Sequence, residues 1–107
     1  MDIVITVPKE EGALIQEMMC IEGKQVKIWR ISKVPKQILT GEHVYFVDGG
    51  VVKYYYHFLG FIQDPICEQT KVMRRGLHLM LGSDKNMVST KKTMPSFQGI
   101  RYIDRIY

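Results

Sequence analysis

Residues 43 to 60 read His-Val-Tyr-Phe-Val-Asp-Gly-Gly-Val-Val-Lys-Tyr-Tyr-Tyr-His-Phe-Leu-Gly, which is two runs of β-forming residues around a glycine turn. β-branched and aromatic runs on either side of Asp-Gly predict a β-hairpin. We expect a three-residue loop over residues 48 to 50, which places Phe46 opposite Val52. A two-residue loop would place Phe46 opposite Lys53 and mix apolar with polar side chains on one face.

The three-residue loop sorts the side chains of the hairpin into two faces. The apolar face carries Val44, Phe46, Val52, Tyr54, Tyr56 and Phe58. The polar face carries His43, Tyr45, Lys53, Tyr55 and His57. We expect the apolar face to be buried and the polar face to be accessible to solvent, as in an antiparallel sheet with one wet face. Gly60 predicts a bend or bulge that lets the sheet curl.

The rest of the chain predicts further strands and at least one helix. Segments 2–7, 25–31, 77–81 and 100–103 are rich in β-branched or apolar residues and predict strands, and residues 34 to 41 predict a loop. Residues 9 to 22 predict a helix, because Pro8 and two glutamates precede apolar residues at helical spacing and Gly23 follows. The expected fold class is α+β and mainly β, with a curled antiparallel sheet and one or two marginal helices.

Length and composition indicate one ordinary globular unit. A chain of 107 residues has room for one core, so we expect a single domain over residues 1–107. The sequence shows neither a secretory leader nor an apolar run of membrane-spanning length, and we expect a cytoplasmic protein with no membrane partner. Cys20 and Cys67 are interpreted as free thiols, with a bridge between them as the alternative. The three histidines are scattered, so we expect no metal and no other cofactor.

Charge is distributed unevenly along the chain. Residues 1 to 22 carry five carboxylates and one lysine, a net charge of −4, so the remainder carries +8. Residues 24 to 36 contain five cations and no acid, and Arg101 belongs to a further basic group near the end. Clustered cations favour a polyanionic partner, because binding to phosphates releases counterions. A solvated basic surface is the alternative interpretation.

Trp29 lies between Lys27 and Arg30 in the strand predicted over residues 25 to 31. A tryptophan is most often an anchor of the core. Flanked by cations, it could also offer a plane on which a nucleic-acid base stacks. Both roles stay open on the sequence alone.

The order of strand, helix, strand with Trp-Arg and glycine hairpin resembles the PUA-like superfamily, and in particular its ASCH and EVE branches. These branches commonly show a Gly-Asp-x-Val-x-Phe stretch followed by a hairpin and a further glycine, which Gly41, Val44, Phe46, residues 49–50 and Gly60 resemble. The closing segment, residues 99 to 102, is also similar to the last strand of such domains. The resemblance implies a small, partly open β-barrel with helices at its margin and a cleft that binds RNA or modified bases.

Some ASCH members hydrolyse a modified nucleoside with a motif of the form Gly-x-Lys-x-x-Glu-x-Arg. The nearest match here runs from Gly23 to Arg30, with Gln25 in place of the lysine and Ile28 in place of the glutamate. The sequence also contains no nucleophile elbow and no phosphate-binding glycine loop. We therefore expect no catalytic residues and favour a binding domain over an enzyme.

The leading hypothesis is a non-catalytic domain that binds RNA or single-stranded or modified DNA. Cations would contact phosphates, and aromatic side chains would stack on bases. The candidate binding residues are Lys27, Trp29, Arg30, Lys33, His43, Tyr45, Lys53, Tyr55, His57 and Arg101. The alternatives are a protein-interaction or self-assembly module, such as a homodimer joined through a Tyr-rich sheet edge, and, third, a small nucleoside hydrolase.

Overall fold

The computed structural model describes residues 1–7, 18–95, 97 and 99–106, and within them it contains eight β-strands and no helix. The strands are β1 (Asp2–Thr6), β2 (Met18–Ile21), β3 (Lys24–Arg30), β4 (His43–Asp48), β5 (Val51–Gln63), β6 (Leu77–Leu81), β7 (Asn86–Thr93) and β8 (Ile100–Ile103). The prediction of a mainly β fold is confirmed. The strands predicted at residues 2–7, 25–31, 77–81 and 100–103 are present as β1, β3, β6 and β8.

All the described strands belong to one open sheet in the order β2-β3-β6-β5-β4-β1-β8, with β7 paired to β5. The β1–β4 pair is parallel, and the remaining pairs are antiparallel. The sheet predicted to be antiparallel therefore contains one parallel pair. The chain between β1 and β4 includes the β2–β3 hairpin, which gives the long connection that a parallel pair needs.

The sheet curls at β5, whose 13 residues pair first with β4 and then with β6. The register of the β5–β6 pair shifts between Phe58 and Gly60, so the bulge predicted at Gly60 is confirmed. The main core lies inside the curl and contains residues from β1, β4, β5 and β6 and from the loop after β3. Its members are Ile3, Ile5, Val7, Ile31, Ile38, Val44, Phe46, Tyr54, Tyr56, Phe58, Leu79 and Leu81.

A second core covers the other face of the same strands. Val4, Tyr45, Val47 and Val52 are buried there against side chains from β7, β8 and the segments that flank β8. A third core contains Met19, Cys20, Val26, Ile28 and Cys67. Strands β1 and β4 are thus covered on both faces, which is why they are rich in apolar residues with little alternation, whereas buried and more accessible side chains alternate along β5 up to Leu59.

The predicted register of the β4–β5 hairpin is wrong. Val47 pairs with Val52 and Phe46 pairs with Tyr54, so the turn is two residues long and Lys53 is the extra residue of a bulge. The bulge restores the separation of apolar from polar side chains that a two-residue turn alone would have destroyed. It also moves Val52 from the predicted apolar face to the second core.

The predicted exposure of the two hairpin faces is confirmed for most of their residues. Tyr56 and Phe58 are 2% and 3% exposed, whereas Tyr55 is half-buried and His57 is exposed. Tyr45 is the exception, because it is fully buried on the face predicted to be wet. The segments around β8 cover this part of the face, and nothing in the hairpin itself indicates that cover.

The helix predicted over residues 9 to 22 is wrong where it can be compared with the structure. Residues 18 to 21 form β2 and pair with β3. Glu22 and Gly23 both have positive φ, 51° and 75°, which is the backbone of a tight β-hairpin turn. Gly23 therefore closes a hairpin instead of ending a helix, and residues 9 to 17 lie outside the described residues. The sequence also gave no indication of β7.

Over residues 1–7, 18–95, 97 and 99–106 we find no helix with the length and apolar character needed to cross a bilayer.

Candidate functional site

A cleft of about 730 Å³ opens at the edge of the main core. Strands β1, β3 and β8 and the loop that follows β3 contribute its walls. Its lining includes Ile5, Trp29, Arg30, Lys33, Ile100 and Tyr102. This volume lies in the range of sites that hold a small molecule or a single nucleotide. The cleft combines apolar walls with two cations and two aromatic rings, a composition suited to a ligand that is flat and anionic.

The β3–β6 pair holds Trp29 in the cleft wall. Trp29 lies opposite Leu79 in the antiparallel register and packs edge-on against Phe46, with ring centroids 5.2 Å apart and planes at 66°. The side chain is half-buried, so the core fixes it while part of its surface lines the cleft. The two roles left open by the sequence, core packing and a stacking plane, are compatible in this position.

Arg30 is positioned by its contact with Gly76. A Cβ atom built on Gly76 would lie 2.9 Å from Arg30 Nε, so the arginine side chain lies directly on the glycine backbone. Gly76 has a φ of 103°, which side-chain-bearing residues rarely adopt. The absence of a side chain at Gly76 therefore permits both the backbone path and the close approach of Arg30. The guanidinium is exposed at the cleft.

Lys33 and Tyr102 also line the cleft. Lys33 is exposed in the loop after β3. Tyr102 is 42% exposed, and its hydroxyl accepts a hydrogen bond from the amide of Gln37 at 3.0 Å. The residues predicted from the sequence include its charged neighbour Arg101 but not Tyr102. The alternation of β8 could have found it, since Ile100 and Tyr102 share a face.

A second group of candidate residues lies on the other face of the sheet. The ring of His43 stacks on that of Tyr55 at a centroid distance of 4.0 Å and meets His57 edge-on at 5.1 Å. Val44 and Phe46, which alternate with His43 and Tyr45 along β4, belong to the main core. The cleft residues and the His43–Tyr55–His57 group therefore cannot contact one compact ligand together.

Tyr45 is held at the bottom of this second group. Its hydroxyl lies 3.0 Å from His43 Nδ1 and accepts a hydrogen bond from the amide of Ile106 at 3.0 Å. Burial raises the pKa of the Tyr45 hydroxyl above its usual range. Burial is also the main reason why the pKa of His43 is lowered, with the Arg105 charge as a further cause. Both side chains are neutral at pH 7. The Tyr45 hydroxyl fixes the position of the Ile106 backbone through its hydrogen bond.

Asp2 is a buried carboxylate that sequence reasoning missed. Its side chain is 3% exposed, accepts the amide of His43 at 2.8 Å and pairs with Arg105, whose Nε lies 3.0 Å from Oδ2. Burial alone would raise its pKa, but the hydrogen bonds from Arg105 and His43 outweigh this effect and leave the pKa lowered. An acid in a strand otherwise made of Ile, Val and Thr is the signal that could have identified it.

The remaining candidate residues belong to neither group. Lys27 donates a hydrogen bond from Nζ to the Tyr56 hydroxyl at 2.8 Å and does not line the cleft. Lys53 is exposed at the hairpin bulge. Arg101 lies over the ring of Phe97, with its guanidinium carbon 4.6 Å from the centroid. Of the ten predicted residues, the structure brings Trp29, Arg30 and Lys33 together at the cleft.

The described part of the chain holds no group of three or more His, Cys, Asp or Glu side chains that could bind a metal ion. No family model matches the chain, and neither a curated protein nor a solved structure is significantly similar to it.

Proposed function

We propose that this chain is a non-catalytic domain that binds single-stranded nucleic acid, with one base in the cleft beside Trp29. The observation that carries the proposal is the meeting of Trp29, Arg30 and Lys33 at one cleft. Aromatic stacking with cations at hand is the general means by which proteins bind unpaired bases without reading a duplex. Arg30 and Lys33 would contact the flanking phosphates, and Tyr102 offers a second aromatic side chain.

Three further features support the proposal. The described residues carry much of the positive charge that follows residue 22, and Arg30 and Lys33 belong to its acid-free segment. The open, curled sheet is compatible with a PUA-like domain, and that relationship is part of the proposal. Both cysteines are free thiols, which suits a reducing compartment such as the cytoplasm.

The test is a titration of labelled single-stranded RNA and DNA oligonucleotides at two salt concentrations, followed by fluorescence anisotropy. The double variant Arg30→Ala/Lys33→Ala should bind more weakly, and the slope of log K against log salt should shrink by about 0.7 for each lost phosphate contact. The matched control is Lys91→Ala/Lys92→Ala, which removes two exposed cations away from the cleft. Equal losses in both double variants would contradict a site at the cleft.

Sedimentation of the unliganded protein separates this proposal from the assembly alternative. Strands β4 and β5 both lie inside the sheet, so their Tyr-rich face is not a free sheet edge. A stable dimer that shows no oligonucleotide binding at low salt would favour assembly through another surface and would refute the binding proposal.

A further inference from the structure

Cys20 and Cys67 both lie in the third core, away from the cleft. Cys20 belongs to β2, and Cys67 belongs to the segment between β5 and β6. The amide of Cys20 lies 3.5 Å from Cys67 Sγ, and the amide of Glu68 donates to the carbonyl of Cys20 at 2.8 Å. Two backbone segments 47 residues apart in sequence are therefore fixed side by side at the two thiols.

The Cys67 sulfur lies among hydrogen-bond donors. The hydroxyl of Thr70 donates to it, as do the amides of Cys20, Thr70 and Gln69. The turn that aims these amides inward is closed by a hydrogen bond from the Lys71 amide to the Cys67 carbonyl at 2.8 Å. Several donors directed at one sulfur favour its anion, and they lower the pKa of Cys67 to about 7.

Cys20 has the opposite environment. Its thiol donates a hydrogen bond to Glu68 Oε1 at a distance of 3.6 Å. Burial is the main reason why the pKa of Cys20 is raised, and the Glu68 carboxylate raises it further. The surroundings of Cys67 therefore favour its thiolate form, whereas those of Cys20 favour its protonated thiol.

We propose that Cys67 is a redox-reactive thiol that exchanges with small disulfides, and that Cys20 is its resolving partner. In the first step the Cys67 thiolate attacks one sulfur of a low-molecular-weight disulfide such as oxidised glutathione. A bond forms between Cys67 and that sulfur, the original S–S bond breaks, and one glutathione thiolate leaves.

In the second step the Cys20 thiol loses its proton through Glu68 to solvent, and its sulfur attacks Cys67 Sγ. The Cys20–Cys67 bond forms, the mixed disulfide breaks, and the second glutathione thiolate leaves. Two protein thiols are oxidised and one glutathione disulfide is reduced to two thiols. Cys67 is buried and the neighbouring residues 68 to 71 are exposed, so the exchange requires this short turn to move and admit the reagent. The inference does not depend on the proposed nucleic-acid function.

The test equilibrates the native full chain with a mixture of reduced and oxidised glutathione, followed by mass spectrometry and peptide mapping. The wild-type protein should lose two hydrogen atoms and yield a Cys20–Cys67 peptide. Cys20→Ser should accumulate a glutathione adduct on Cys67, because nothing resolves it. Cys67→Ser should stay largely unmodified. A wild-type protein with no bridge, or a Cys20→Ser protein with no adduct, would overturn the proposal.

A second measurement separates a built site from thiols exposed by unfolding. The rate of adduct formation in Cys20→Ser should titrate with a midpoint near a pH of about 7. Thr70→Val should move this midpoint to higher pH, whereas the control Thr93→Val, at an exposed position of β7, should leave it unchanged. A reaction no faster than global unfolding, measured in parallel, or a midpoint that Thr70→Val does not move, would overturn the proposal.

Discussion

Replacing Gly76 by alanine should weaken oligonucleotide binding by displacing Arg30. The added Cβ atom would lie 2.9 Å from Arg30 Nε, which is shorter than a van der Waals contact allows. Arg30 must therefore leave the backbone of Gly76. Because Arg30 is exposed, it can move into solvent without leaving an unpaired buried charge, so the displacement acts on the ligand more than on the fold.

The expected magnitude has two parts. A φ of 103° in a residue with a side chain costs about 1–3 kcal/mol of folding stability. The loss of one phosphate contact shrinks the salt slope for a single strand by about 0.7, which corresponds to about fivefold in affinity at roughly 0.1 M salt. Urea denaturation measures the first part, and anisotropy of a labelled oligonucleotide measures the second.

Gly41→Ala separates backbone strain from the contact with Arg30. Gly41 has a similar φ of 93°, but a Cβ atom built there meets nothing within 4 Å. The two variants should lose comparable stability, and only Gly76→Ala should lose affinity and salt slope. If both variants, or neither, lose affinity while remaining folded, the position of Arg30 on Gly76 does not contribute to binding.

Three further predictions concern the face of the sheet opposite the cleft. Asp2→Ala should lower the free energy of unfolding by about 2 kcal/mol in urea denaturation, because it leaves the partly buried amide of His43 without an acceptor. The control Asp104→Ala, at an exposed position, should have little effect. Tyr45→Phe should cost about 1 kcal/mol in the same assay, since it removes a hydroxyl with buried hydrogen bonds. Burial lowers the pKa of His43, so the folded state binds a proton less readily than the unfolded state. The stability that neutral His43 allows is therefore complete above its usual pKa of 6.5 and declines as the pH falls below that value. The decline should be smaller in His43→Gln when thermal unfolding is followed from pH 8 to pH 5.

The sequence predicted the strands whose signal is local. Strands β1, β3, β4, β6 and β8 are short runs of β-branched, aromatic or apolar residues bounded by Gly, Pro or polar turns, and their positions follow from that pattern. The bulge near Gly60 was also predictable, because a glycine inside a strand pattern has few other roles.

The errors arose where two local patterns compete. Met18, Met19 and Ile21 fit both a helix and a strand, and Gly23 fits both the end of a helix and a tight turn. The pairing of β2 with β3 decides between them, and pairing is a long-range property. The prediction of the hairpin register was wrong for the same reason. The bulge at Lys53 lies where β5 pairs with β7 as well as with β4.

The candidate site was predictable in its parts but not in its arrangement. The sequence identified Trp29, Arg30 and Lys33 by their residue types and spacing, and the structure brings them to one cleft. The sequence could not show that His43 and Tyr45 lie on the face of the sheet opposite the cleft. That arrangement depends on how β3 and β4 are placed relative to each other in the sheet. Tyr102 and Gly76 are far from residue 30 in sequence, and only the fold brings Tyr102 to the cleft and Gly76 against Arg30.

If an unpaired base stacks in the cleft, the fluorescence of Trp29 should report its binding. Trp29 is the sole tryptophan of the chain, so the intrinsic tryptophan signal reports on the cleft alone. A single-stranded oligonucleotide should quench this fluorescence with the same midpoint that anisotropy gives. An abasic strand of equal length and charge should bind more weakly and leave the fluorescence almost unchanged. Saturable anisotropy with no change in the Trp29 signal would place the nucleic acid elsewhere and contradict the account.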